Sequence, residues 1–130
     1  MAQFLNWLSS GDTKGAEEME RLFGNRTILD YQQFFEAYYA GSAVSREVAV
    51  GVRNLFIKCL PFDMRRLAPG DSFKSELNFV WKHDSLADVE LLCEIEKQFG
   101  VKITDAEGVE ASTMGDVIEL VQAKLHRSAP

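Results

Sequence analysis

His83-Asp84-Ser85-Leu86-Ala87-Asp88-Val89-Glu90-Leu91-Leu92 is a short polar stretch that runs straight into an acidic, amphipathic pattern. Leu91, Ile95 and Phe99 recur at helical spacing and predict a buried stripe. Leu86, Val89, Glu90, Cys93 and Glu96 fall on a second stripe, which predicts an outward face. The pattern predicts a helix over roughly 85–99, with a loop delivering Ser85 to its first turn. Asp84 or Ser85 is the expected cap, because either side-chain oxygen can accept from the unpartnered N–H groups of that turn. The same end carries partial positive charge, so a phosphodiester on the Ser85 hydroxyl would be favoured there. An Asp-Ser pair alone is usually no more than a cap.

The charge around this stretch adds weight. Between Asp84 and Glu110 eight acids stand against Lys97 and Lys102, and elsewhere twelve charges of each sign cancel, so one segment carries the whole net charge of −6. Such a field repels nucleic acid and anionic membrane surfaces and attracts basic protein patches. A run of acids is often only a solvated face.

The chain has 130 residues, 46% of them hydrophobic, enough for one packed core. No apolar run approaches the length of a membrane span. The opening Met1-Ala2-Gln3-Phe4-Leu5-Asn6-Trp7 lacks a basic region and a cleavage site, which predicts a cytoplasmic protein without a secretory leader. Cys59 and Cys93 read as reduced thiols, and neither they nor His83 and His126 have metal-ligand spacing.

Upstream, Phe4, Leu5, Trp7 and Leu8 fit a helical turn or a loose arm equally well. Asp12 or Thr13 starts a helix expected to run through Phe23, with Gly24-Asn25 as its stop. Asp30 and Gln33 form a capping-box pattern, and Leu29 can staple to Phe34. Tyr31, Phe34, Phe35 and Tyr38 then make an aromatic stripe expected to be core. Ser45 caps a long helix to Leu60, buried along Val48, Val52, Leu55, Phe56 and Cys59, and Pro61 ends it. Residues 61–83 read as a long connection pinned by Met64, Leu67, Phe73 and Leu77, with a turn at Pro69-Gly70-Asp71. Asp105 to Glu110 suggests one brief turn, and Thr113 with Asp116 a capping-box variant for a last helix buried along Met114, Val117, Ile118, Val121 and Leu125. The fold class this predicts is all-α.

Taken together, residues 45–125 resemble acyl carrier proteins. The resemblance rests on the helix from Ser45 to Leu60, then on Leu67 and Ser72-Phe73 in the loop. Its strongest part is the ungapped block Asp84-Ser85-Leu86, Val89-Glu90-Leu91, Ile95-Glu96, Phe99, Val101 and Ile103, continued by Asp105, Thr113 and Val117-Ile118. It implies a four-helix carrier bundle over 45–127, with 1–44 as an N-terminal helical extension packed on it. It also implies a carrier and not a catalyst. Ser85, flanked by Asp84 and Leu86, would receive a 4′-phosphopantetheine arm from coenzyme A through a phosphopantetheinyl transferase (holo-carrier synthase) and Mg²⁺. The arm's thiol would hold acyl groups as thioesters for fatty-acid or specialised polyketide- or lipid-like biosynthesis. Leu86, Asp88, Val89, Glu90, Cys93, Glu94 and Glu96 would dock acyl-processing enzymes through their basic patches.

The chain departs from that pattern in places. Glu76-Leu77 is followed by Asn78-Phe79-Val80-Trp81-Lys82-His83, which lacks the usual glycine and makes the loop about four residues longer. Ala87 stands where an acid is usual, Lys97 replaces a second acid, and Gly108 and Ala111 are small where larger apolar residues are common. The insertion and the extension motivate an alternative, a carrier-fold interaction module that is never modified. An independent enzyme is disfavoured: His83, Asp84 and Ser85 are consecutive and cannot align as base, orienter and nucleophile, and no phosphate-binding glycine loop is present.

Overall fold

Ser45 opens the helix on which the others are organised. Its hydroxyl accepts from the Val48 N–H, and α3 (Arg46–Cys59) follows. The computed structural model describes residues 12–83 and 86–128 of the chain. Within them, α1 is Asp12–Phe23, α2 Tyr31–Tyr38, α4 Asn78–His83, α5 Ala87–Phe99, α6 Asp105–Glu110 and α7 Met114–Ser128. There is no strand among the described residues, only one antiparallel bridge between Ser72 and Thr113. The fold is an all-α bundle, as the sequence pattern predicts. Residues 1–11 and the expectations for them lie outside the described residues.

α3 packs against α5 on one side and α7 on the other. Val52, Phe56, Ile95, Ile118 and Val121 are fully buried between them. α3 and α5 come very close: a Cβ on Gly51 would lie 2.7 Å from Phe99 Cζ. α5 stops at Gly100, whose φ of 66° is a left-handed conformation open to glycine at little cost. Thr104 and Glu107 cap α6 reciprocally, each backbone N–H donating to the other's side chain. At α7, Thr113 Oγ1 accepts from the Asp116 N–H, while Asp116 Oδ2 accepts from Ser112 N rather than from Thr113. The box is therefore shifted by one residue.

The expected connection over 61–83 is corrected at its end, where the insertion folds as α4. Leu77 and Val80 are fully buried three positions apart, and Phe79 packs on Phe62 with ring centroids 5.4 Å apart. Those anchors hold a helix that is too short to be stable by itself. α1 packs on α4, so the two segments that depart most from the carrier pattern support each other.

The aromatic stripe of α2 is also corrected. Phe34 is buried and Phe35 partly so, but Tyr31 and Tyr38 are 56% and 46% exposed. Tyr39 is the buried tyrosine instead, with its ring 6.1 Å from Phe34. α2 ends at Tyr38, and the chain turns inward there before Gly41, whose φ is 81°.

Candidate functional site

The head of α5 is built from its first turn. Ala87, the first residue of the helix, is fully buried, and Leu86 takes the N-cap position. α5 thus starts two residues after the expected 85, and the cap expected from Asp84 or Ser85 falls outside the described residues. Inside the first turn, Asp88 Oδ1 accepts from the Val89 N–H at 2.8 Å. Asp88 and Glu90 near this end and Lys97 in the last turn all suit the helix dipole.

Leu86 and Val89 are 61% and 54% exposed, and Asp88, Glu90 and Cys93 face solvent beside them. Glu94 is partly buried and pairs with Lys97 at 3.6 Å. Glu96 is turned partly inward: its Oε2 accepts from the Ile103 N–H at 2.8 Å, tying the loop after α5 back onto the helix. Leu91 and Ile95 are buried on the opposite side, with Phe99 partly so. Of the two cysteines, Cys59 is partly buried, and burial followed by the Glu94 carboxylate pushes its thiol up, away from reactivity.

Lys124 on α7 fixes α6 by an ion pair to Glu107 at 2.8 Å. That ammonium, followed by the Thr104 N–H, holds the Glu107 carboxyl at about 2 against an ordinary 4.5. A carboxyl lowered on folding stabilises the fold fully above its unfolded value and loses that contribution as pH falls through the folded one. The pair therefore supports α6 at neutral pH and fails only between about 4.5 and about 2. A carboxyl-detected NMR titration is expected to place the Glu107 midpoint near 2, and Lys124→Met should move it up toward 4.5.

Beside the head of α5 lies a cavity of about 570 Å³ that Asp88 and Val89 help to line, with Gly108 and Ala111 on its far side. Sequence reasoning misses Phe56, Phe73 and Trp81 as parts of this cavity. Phe56 reads as core, Phe73 as a loop anchor and Trp81 as part of an insertion close to Ser85, and the folding of α4 brings Trp81 onto Phe73.

These features define a helical bundle in which one acidic helix leaves the apolar pair Leu86 and Val89 exposed on its outer face. An acyl carrier protein of Thermosynechococcus vestitus is 33% identical over 79 residues, which are 61% of this chain and 93% of that protein. No protein-family profile matches the chain. The chain belongs to the acyl carrier protein family, whose members are carriers rather than catalysts. No helix among the described residues is long and apolar enough to cross a membrane.

Proposed function

We propose that this protein carries acyl groups as thioesters on a 4′-phosphopantetheine arm attached to Ser85, as a cytoplasmic carrier for fatty-acid or related biosynthesis. In this reading residues 45–127 are the carrier domain and 1–44 an extension that packs on it. The observation that carries it is the exposed apolar pair Leu86 and Val89 at the head of an acidic helix, immediately after Ser85 in the chain.

The residues at that head fit a phosphodiester. The N-terminus of α5 carries partial positive charge, and Lys74 lines the adjacent cavity with its cationic side chain. Ser85 would attack the β-phosphate of coenzyme A. The new serine–phosphorus bond replaces the pyrophosphate linkage, the adenosine bisphosphate leaves, and the hydroxyl proton passes to the transferase. When attached, the arm supplies a thiol that exchanges acyl groups. This chain's own part is to present Ser85 and to be recognised. Leu86 and Val89 would fill an apolar recess on a partner enzyme, while Asp88, Glu90 and Glu94 meet its basic rim.

Intact-mass measurement after co-expression with a phosphopantetheinyl transferase tests this. The expected result is a gain of one phosphopantetheinyl group, abolished by Ser85→Ala. An unshifted mass under conditions that modify an ordinary carrier would reject it. The alternative, an unmodified interaction module, is favoured by α4 standing directly before Ser85. It requires partner capture to survive Ser85→Ala, and loss of capture on that change excludes it.

A further inference from the structure

The cavity beside α5 has two unlike walls. One is aromatic. Phe56 and Phe73 stack with centroids 5.9 Å apart, and Trp81 meets Phe73 edge-on at 5.8 Å. The Trp81 indole N–H donates to the Phe73 carbonyl at 3.0 Å, which fixes the ring's orientation. The other is aliphatic, from Leu91, Leu92 and Val109, and the polar side chains of Lys74, Asn78, Thr104 and Asp105 also line the cavity. Gly108 lines the cavity beside Leu92, where an added Cβ would lie 3.3 Å from Leu92 Cδ1.

Trp81 belongs to the inserted helix, and its position is enforced from behind. Leu77 and Val80 are fully buried, Phe79 packs on Phe62, and α1 packs on α4. The extension and the insertion thus hold one indole against the cavity. At about 570 Å³ the space lies within the range of about 300–1,000 Å³ typical of small-molecule sites. Asp88 and Val89, three and four positions after Ser85, stand at its edge.

We propose that Trp81 makes this cavity selective for cargo acyl groups that end in an aromatic ring over straight alkyl chains. The proposal rests on the carrier reading of Ser85. An aryl ring can take an offset or edge-to-face station against Trp81 or Phe73, whereas a polymethylene chain gains only from the area it buries. One such ring pair corresponds to roughly a two- to ten-fold preference.

Two measurements test it. In the first, the protein is loaded with phenylbutanoyl or decanoyl groups, which have equal carbon counts, and thioester cleavage by hydroxylamine is timed. The aryl thioester is expected to be cleaved roughly two- to ten-fold more slowly. Trp81→Leu should bring the two rates together, and Trp81→Phe, which keeps a ring and guards against misfolding, should retain most of the difference. In the second, free phenylbutanoyl- and decanoyl-pantetheine are titrated by calorimetry into the Ser85→Ala protein, where the same order of affinity is expected. Equal behaviour of the two groups, or a preference that survives Trp81→Leu, overturns the proposal. If Ser85 accepts no arm but the titration shows a Trp81-dependent ring preference, the carrier reading fails and the cavity assignment stands. A loaded protein without the preference leaves the carrier reading standing and overturns the cavity assignment.

Discussion

Phe56→Ala is expected to lower the unfolding free energy by about 3–5 kcal/mol, read from the denaturant midpoint of the far-ultraviolet circular dichroism. Phe56 is fully buried on α3, the helix that packs against α2, α5 and α7. Its ring also stacks on Phe73 and closes the inner side of the cavity beside α5. Truncating it therefore creates a void that joins existing space, which neighbouring side chains cannot easily refill. The cost of such a change grows with the volume left behind, which puts this site toward the upper part of the range. Phe35, only partly buried on α2, should cost clearly less on the same truncation. A loss below about 1 kcal/mol for Phe56→Ala would mean that α3 does not present this ring to the core.

Helix starts are legible in this sequence where donor and acceptor lie within four residues of each other. Asp30 with Gln33 and the Ser45 cap can be read without knowing the fold, and the structure contains both bonds. The buried stripes of α3, α5 and α7 are legible for a similar reason, because each is long enough to show its period. α4 is not. Six residues hardly repeat a helical period, and what makes them helical is burial of Leu77 and Val80 against partners distant in sequence. The Tyr31 and Tyr38 expectation fails on the same ground, since an eight-residue helix buries only a narrow strip and the turn after it decides which tyrosine goes inside.

At the site, the outward pair Leu86 and Val89 follows from spacing alone, because their stripe is opposite Leu91 and Ile95. The N-cap is harder to read. Asp84 and Ser85 have the right chemistry for a cap but lie outside the described residues, and α5 begins at Ala87, two residues later than its pattern predicts. Glu96 looks like one more surface acid until the chain doubles back and brings the Ile103 N–H to it. Trp81's place in the aromatic cavity wall depends on α4, so that part of the wall becomes visible only with the insertion folded.

Arg53→Ala is expected to cost about 2–4 kcal/mol, with faster amide hydrogen exchange concentrated in residues 24–30 and 61–67. Arg53 sits on the buried side of α3 and is only 2% exposed. Its Nη2 donates to the carbonyls of Leu29 and Arg65 at 2.7 and 2.8 Å, and its guanidinium lies 4.9 Å from the Phe34 ring centre. These acceptors are 24 and 12 residues away in sequence, which is why a charged residue on this stripe reads as surface in the sequence. The side chain thereby ties the segment before α2 and the loop after α3 to a single helix. Burial pushes its pKa down, and its Nε has no hydrogen-bond partner among the described residues, so part of the binding gain is spent on desolvation. Removing the charge relieves that cost but leaves two carbonyls short of a donor and a hole beside Phe34. Arg53→Met separates these effects, because it refills the hole without restoring the bonds, and it should recover less than half of the loss. Lysine should also fall short, since a compact ammonium cannot both fork to two carbonyls and lie flat on a ring. If Arg53→Met matched the parent in stability and left the exchange of both segments unchanged, the side chain would be filling space and holding nothing.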